Sequence, residues 1–380
     1  MKMVFIAPRM HTNQNPIVEG LLDRNIQVQF YTFYKGAVED YTKLVPIMLK
    51  QNVFSKLFGK LFDKKYTPDV AELKKLRWYM PSFLNVVKML KKEKPDLLVL
   101  RERSKANAVI CVACKVIGFR NVIIYNQTPM HVRYRGWKNL IFFPVRYTPV
   151  KGLLDNKVIL NQPPEHTYFA PFVYKPSTCE KRYPREGDVI RILDVGKYRD
   201  YKNHFLFVEA IKLLTQRNIC NIHVTIVGQV SNSSEERYFN DLSQFVQDLN
   251  LQDYISLKNN VPYKLMDAVY QENDILVLPS KKEVAGMVII ESMANGLCTI
   301  STDNNGTACY VIESGGGSVF DYRSSESLAT VLEKYICSAN SIQNSGLMGK
   351  KYIREYCSIE KYLETINLIC EKEFNFSIMV

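Results

Sequence analysis

Glu283 and Glu291 stand eight positions apart in SKKEVAGMVIIESMANG (Ser280–Gly296), with Gly286 and an apolar run between them. A glycine lets the backbone approach a ligand closely, and the N–H groups of Met287 and Val288 would open a helix there. Unpaired amides at the positive end of a helix dipole attract an anion without help from side chains. With a phosphate at that point, Glu283 before the helix and Glu291 a turn inside it remain free to accept from hydroxyls on one elongated ligand. A second stretch, DVGKYRDYKNHF, supplies cations: after Gly196, which permits a sharp exit, Lys197, Arg199 and Lys202 fall within one loop. Three cations suit a diphosphate, and carboxylates on hydroxyls complete the description of a bound nucleotide sugar. Taken singly, each lysine could be a solvated loop residue, and Arg199 reads as one; Glu291 alone could be an exposed helix residue.

These loops need strands to hold them. VIRILDVG (Val189–Gly196), a helix over 204–215, NIHVTIVG (Asn221–Gly228), a helix over 234–249, YISLKN, a short helix after Pro262, DILVLPS (Asp274–Ser280), the helix from Met287 and CTISTD alternate in order. Short apolar runs ending in Gly, Ser or Asn are the pattern of strands buried on both faces. An earlier series has the same rhythm: MKMVFIAP, then helix and strand in PIVEGLLDRNIQVQFYTF, then DLLVL (Asp96–Leu100), a helix over 109–117 and NVIIYN (Asn121–Asn126). The fold class is therefore α/β, with two doubly wound, Rossmann-like parallel-sheet domains. Between them, 138–188 is rich in proline and aromatics, as expected of crossing segments. The expected organisation is a first domain over 1–170, a linker over 171–188, a second domain over 189–355 and a closing segment over 356–380.

In such sheets ligands bind at the carboxyl ends of strands. The loop after the first strand lacks GxGxxG, which argues against a nicotinamide cofactor, and carries Arg9, His11, Thr12, Asn13 and Gln14. Arg9, His11, Asn13, Arg101 and His131, the last in YNQTPMH, are the candidates on this domain, although loop histidines also serve structural roles.

At 380 residues the chain is long enough for two cores, and its 47% hydrophobic and 23% charged residues exclude a disordered or fibrous class. The net charge of +12 implies an anionic partner. Between Lys43 and Lys94 there are thirteen Lys or Arg against four Asp or Glu, so the excess is concentrated. Within that region Ile47–Lys65 has Phe54, Leu57, Phe58, Leu61 and Phe62 at helical spacing among lysines. This composition fits a helix lying on an anionic membrane surface, and KKLRWYM and KMLKKEK, which continue the basic and aromatic pattern, favour that over the alternative of an amphipathic helix packed on the sheet. No nucleic-acid motif accompanies it. No apolar run is long enough to span a bilayer, and the N-terminal run is too short for a signal peptide. Nine cysteines at irregular spacing fit a reducing cytosol. Cys111 and Cys114 form a CVAC without a second pair, which favours helix-core packing over a metal site.

Glu283-x7-Glu291 in EVAGMVIIESMANGLCTIST resembles the EX7E signature of the retaining GT-B glycosyltransferases of family 4, the glycosyl transferases group 1. VGKYRDYKN stands where the family has G-R-x-x-x-x-K-G, and VPYKLMDAVYQENDILVLPS and DNNGTACYVIESGGGSVF follow in the family's order; the likeness covers about 190–320. The resemblance implies a GT-B fold with two domains across a cleft, and a last helix over about 358–373 that returns to the first domain. It implies that Glu283 holds donor-sugar hydroxyls, Glu291 the ribose, and Lys197 and Lys202 the diphosphate, with Gly196, Gly286, Met287 and Val288 around them. Reaction with retention and without a metal is implied too, and no Asp-x-Asp occurs in the chain. Where relatives place a histidine after the strand DLLVL, this chain has Arg101, Glu102 and Arg103, so His11 becomes the catalytic candidate there. Lys197 for arginine, Ala285 for an aromatic, Ser292 for alanine and Cys298 for proline are further departures. The expected function is transfer of a sugar from a nucleotide-diphosphate donor, a co-substrate rather than a cofactor, to a glycan or lipid-linked acceptor on the cytoplasmic face of a membrane. A nucleotide-sugar epimerase of the same fold, or a membrane or nucleic-acid binding module with a degenerate cleft, stays open as an alternative.

Overall fold

In the computed structural model the strand–helix alternation appears in two units, Met1–Pro149 with Gln162–Val173 and Ile359–Val380, and Val150–Asn161 with Tyr174–Ser358. The structure describes residues 1–35, 41–55, 57, 79–134, 136–152 and 163–378, with Thr12 and Lys138 described by backbone alone. Of the basic segment 47–65, Lys56 and 58–65 lie outside the described residues.

The first unit holds a parallel sheet of β1 (Lys2–Ala7), β2 (Gln27–Thr32), β3 (Ile47–Met48), β4 (Leu97–Arg101), β5 (Val122–Tyr125), β6 (Arg146–Thr148) and β7 (Thr167–Phe169). Its order is β3-β2-β1-β4-β5-β6-β7. Helices α1 (Asn15–Leu22), α2 (Phe83–Glu93), α3 (Lys105–Val116) and the single turn α4 (Lys138–Ile141) connect the strands. Met3, Phe5, Val28, Phe30, Leu97 and Val99 face one core, and Val4, Ile6, Leu98, Leu100, Val122 and Ile124 face the other, so β1 and β4 are buried on both sides. Ser104 starts α3 by accepting from the amide of Asn107 at 3.1 Å. Cys111 and Cys114 sit fully buried on α3, and burial pushes their thiols up to about 11 and about 12, consistent with core packing.

Two sequence expectations change here. Ile47 and Met48 pair in parallel with Tyr31 and Thr32, so the basic amphipathic stretch opens as an edge strand and not as a helix. Only Val53–Ser55 and Leu57 of that stretch are described as helical, with Val53, Phe54 and Leu57 strongly exposed. The proline-rich crossing segment contains β6 and β7, which extend the first sheet; three-residue strands are too short for periodicity to reveal.

The second unit holds β8 (Ile190–Val195), β9 (Ile222–Gly228), β10 (Ile255–Asn259), β11 (Ile275–Leu278), β12 (Cys298–Thr302) and β13 (Gly317–Phe320), all parallel, in the order β10-β9-β8-β11-β12-β13. Its helices are α5 (His204–Gln216), α6 (Ser233–Asp248), α7 (Met266–Gln271), α8 (Met287–Ala294), α9 (Ala308–Ser314), α10 (Ser325–Ile336) and α11 (Ala339–Tyr356). Asn232, Ser324 and Ser338 cap α6, α10 and α11 through their side chains. Tyr174–Asp188 contains neither strand nor helix and belongs to this unit. The last helix, α12 (Ile359–Phe374), buries Tyr362, Leu363, Ile366 and Ile369 in the first unit's core, where the Tyr362 hydroxyl lies 3.1 Å from that of Tyr147. Among the described residues no helix is long and apolar enough to cross a membrane.

Sequence order reverses between neighbours β8 and β11 in the second sheet, and between β1 and β4 in the first. Loops leaving such neighbouring strands open a crevice at the carboxyl edge, the usual place for a ligand in an open α/β sheet. The two motif loops leave from β8 and β11. The loops carrying His11 and Arg101–Arg103 leave from β1 and β4.

Candidate active site

The β8 and β11 loops meet through Lys202 and Glu283: Lys202 Nζ lies 2.6 Å from Glu283 Oε2, with little of either side chain exposed. The spacing argument left both glutamates free, and the structure shows each with a partner. Glu283 is also held by its backbone, since its amide donates to Asn304 O at 3.3 Å and its carbonyl accepts from the Gly306 amide at 2.9 Å. The loop after β12 is rigid enough to serve as that support. Asn305 is fully buried, donating to Ser301 Oγ at 2.8 Å and accepting from the Thr307 amide and hydroxyl at 3.0 and 2.8 Å.

Two glycines make room around this pair. A Cβ on Gly196 would sit 3.1 Å from Lys202 Cδ, so the glycine serves the lysine's packing; its φ is not positive, which corrects the expectation of a sharp exit. At Gly286 a Cβ would come within 2.8 Å of Leu278 Cδ2 and 3.2 Å of Glu283 Cγ. Gly286 is the N-cap of α8, and no side chain caps that helix. The amides of Met287 and Val288 therefore remain for an incoming acceptor at the positive end of the dipole.

Glu291, on α8, is half-buried and accepts from the Tyr270 hydroxyl at 2.7 Å. Burial raises its carboxyl above the ordinary range, Tyr270 opposes that shift, and Asp267 adds to it. Tyr174 and Tyr263, in hydrogen-bonding contact with each other, also feel the Glu291 charge. Sequence reasoning missed these three tyrosines: Tyr263 and Tyr270 lie seven residues apart in VPYKLMDAVYQ, but Tyr174 is about ninety residues earlier, and no local signal ties any of them to Glu291. Lys181 holds the helix that carries Tyr270, donating to Gln271 O at 2.7 Å and also to Asn273 O at the end of α7. Burial lowers Lys181 to about 8.

The cations divide. Lys197 is exposed. Arg199 is not a solvated loop residue: it pairs with the buried carboxylate of Glu235 at 2.6 Å, which Ser231 also holds through its amide and hydroxyl. Burial opposes ionisation of Glu235, and these partners overcome it, keeping the carboxyl below its usual range. Beneath the loop, Asp194 Oδ2 and His204 Nε2 lie 3.5 Å apart, both fully buried and neither hydrogen-bonded. Burial pushes Asp194 up to about 8, against the pull of Lys202, and lowers His204 to about 3.

On the first unit, His11 is held by its loop: its amide donates to Gln14 Oε1 at 3.0 Å, and Arg9 Nε donates to its Nε2 at 3.2 Å. Burial, with Arg101 and Arg9 adding to it, lowers His11 to about 3, so the imidazole is neutral. Arg9, His11 and Arg101 thus gather at one switch point, with Asn13 in the turn that follows. His131 is half-buried on the loop after β5. Among the described residues no three His, Cys, Asp or Glu side chains converge as metal ligands.

A family model of the glycosyl transferases group 1 matches residues 179–347, the stretch that carries both motif loops. The mannosylfructose-phosphate synthase of Agrobacterium fabrum is 28% identical over 127 residues, which are 33% of this chain and 28% of that protein. A D-inositol 3-phosphate glycosyltransferase of Paenarthrobacter aurescens is 23% identical over 206 residues, 51% of this chain and 50% of that protein. The chain thus spans half or less of the length of these relatives. Among solved structures, a glycosyltransferase from Rickettsia africae superposes with a TM-score of 0.71 over 99% of both chains at 15% identity, which shows the same fold. The matched stretch carries both Lys202 and Glu283 and is a glycosyl transferases group 1 domain, and the chain's two Rossmann-like units have the GT-B fold.

Proposed function

We propose that the chain is a retaining, metal-independent glycosyltransferase whose second unit binds a nucleoside-diphosphate sugar and whose acceptor is a glycan or a lipid-linked hydroxyl. The observation that carries this reading is the Lys202–Glu283 pair beside the uncapped start of α8. A diphosphate is a stronger anion than one carboxylate, so its arrival draws Lys202 from Glu283. The freed carboxylate then accepts from sugar hydroxyls. Glu291, already oriented by Tyr270, takes the ribose hydroxyls in the same way.

In the reaction, the bond from the anomeric carbon to the diphosphate oxygen breaks with its electron pair on the diphosphate. Lys202, Lys197 and the first amides of α8 stabilise that charge, each good donor contributing about 10²–10³ in rate. The acceptor hydroxyl forms the new bond on the same face and passes its proton to the departing oxygen, so no protein nucleophile takes part. Neutral His11, between two arginines, suits orientation of a hydroxyl rather than charge neutralisation. The absence of Asp-x-Asp supports metal independence. The exposed Val53, Phe54 and Leu57 beside a basic segment support work at an anionic membrane surface.

The test is to incubate the full chain with a panel of nucleotide sugars and simple hydroxyl acceptors in EDTA and to follow the anomeric configuration by NMR. Transfer with the donor's configuration kept is expected. An inverted product contradicts retention, and activity lost in EDTA and restored by a divalent cation contradicts metal independence.

A further inference from the structure

The first unit contains a cavity of about 460 Å³, built by the loops after β4 and β5 and by the starts of β6 and β7. Three arginines line it: Arg103, Arg133 and Arg146. None of the candidate residues of either switch point lies among its walls.

Arg146 is fully buried and spends its guanidinium on the fold. It donates to Thr167 Oγ1 at 3.1 Å and to the carbonyls of Met130 and Val132 at 2.8 Å each, which shapes the loop after β5. Arg103 is different. It lies on the face of Tyr134, 3.9 Å from the ring centroid, with Arg146 at 5.3 Å from the same ring. One of its terminal nitrogens donates to Asn139 Oδ1 at 2.7 Å and the other weakly to Phe143 O at 3.4 Å, and its buried Nε has no partner. Among the described residues neither Arg103 nor Arg146 has a carboxylate partner, and burial weighs against both charges. One acid, Glu165, lines the cavity, but it is largely exposed and its nearest basic group is His166 at 3.5 Å; Glu373 is committed to His166 at 2.8 Å and to the Tyr168 hydroxyl at 2.6 Å, and Glu102 lies beside Arg101.

Two guanidiniums against one ring without a carboxylate partner repel each other and lose hydration, a cost that a doubly charged anion bound beside Arg103 offsets. Exposed Arg133 adds a third cation at the wall. The turn of α4 that contributes Asn139 also presents Trp137 and Leu140 to solvent, 68% and 80% exposed. An apolar rim beside a cationic cavity suits an anion that carries an organic body. We propose that this cavity is a binding site for a phosphate ester, with Arg103 as its main ligand, Arg133 assisting and Tyr134 holding Arg103 in place.

The phosphate ester could be a soluble metabolite or a lipid headgroup, and two arms separate these sources. In the first, glycerol 3-phosphate is titrated calorimetrically into the full chain without donor, using the wild type, Arg103→Gln and Lys202→Ala. In the second, the same proteins are sedimented with phosphatidylcholine vesicles with and without phosphatidic acid. Binding of the soluble ester that is weakened by about tenfold in Arg103→Gln and unchanged in Lys202→Ala supports the site and a soluble source. Dependence on Arg103 seen only with phosphatidic acid supports the site and a lipid source. Binding that follows Lys202, survives Arg103→Gln, or occurs in neither arm overturns the proposal. Should Arg103→Gln fail to fold by circular dichroism, exposed Arg133→Gln replaces it, with a loss of about threefold expected and an unchanged affinity contradicting the site.

Discussion

Lys202 and Glu283 form an ion pair of 2.6 Å across the switch point of the second sheet, joining loops that leave β8 and β11. Under the proposed function, the pair keeps a lysine for the phosphates and a glutamate for the sugar ordered before the ligand arrives. On that proposal, ligand binding separates the two.

Glu283→Gln tests that exchange. The substitution removes the competing anion and leaves Lys202 free for phosphate. A nucleoside diphosphate without sugar is expected to bind about fivefold tighter, while transfer from the sugar nucleotide is lost. Weaker binding of the diphosphate to this variant would show that Lys202 is not its ligand.

Tyr270→Phe removes the hydroxyl that donates to Glu291. Burial already raises the Glu291 carboxyl and Tyr270 opposes it, so the variant's carboxyl titrates at higher pH. Binding that needs ionised Glu291 is then lost earlier as pH falls, so the acid limb of nucleotide affinity moves upward, with about a fivefold loss at neutral pH. A pH profile that matches the wild type contradicts the role given to Glu291.

Asp194→Asn addresses the buried pair under the lysine loop. The Asp194 carboxyl is raised to about 8 by burial, so the folded protein holds a proton there that the unfolded chain releases near its ordinary pKa of 3.8. Its contribution is present at low pH and lost as pH rises through about 8. His204, lowered to about 3 by burial, works the other way below its ordinary 6.5, where acid favours the unfolded chain. The asparagine variant is therefore expected to gain melting temperature relative to wild type as pH rises from about 4 to about 8, where only the wild type's unfolded chain is favoured by releasing the proton, and to keep that gain above about 8. A variant much less stable at every pH would mean instead that Asp194 and His204 form a charged pair.

Arg199→Ala leaves the buried Glu235 carboxylate with Ser231 alone. Chemical denaturation should show a loss of about 2 kcal/mol, with nucleotide affinity nearly unchanged. The reverse pattern, intact stability and lost affinity, would return Arg199 to the phosphate.

The legible parts of this molecule were those with local signatures. Buried strands ending in small residues announced the two parallel sheets, and Glu283, Gly286 and Glu291 kept the spacing of a loop followed by a helix. What was not legible depends on contacts distant in sequence. The partnership of Lys202 with Glu283 spans 81 positions, and that of Arg199 with Glu235 spans 36. Likewise β6 begins with an arginine, a residue that reads as surface, yet Arg146 is buried because backbone carbonyls of one loop converge on it. Ile47 and Met48 read as the start of an amphipathic helix because two residues carry no period, and only pairing with β2 makes them a strand.

The most direct measurement is calorimetric titration of the full chain with nucleoside diphosphates and their sugar conjugates in EDTA, for wild type and Lys202→Ala. Specific binding of one nucleotide to the wild type, weakened by at least about tenfold in the variant, is the predicted result. Equal affinity in both proteins, or no binding of any nucleotide, would contradict the assignment of the Lys202–Glu283 crevice as the donor site.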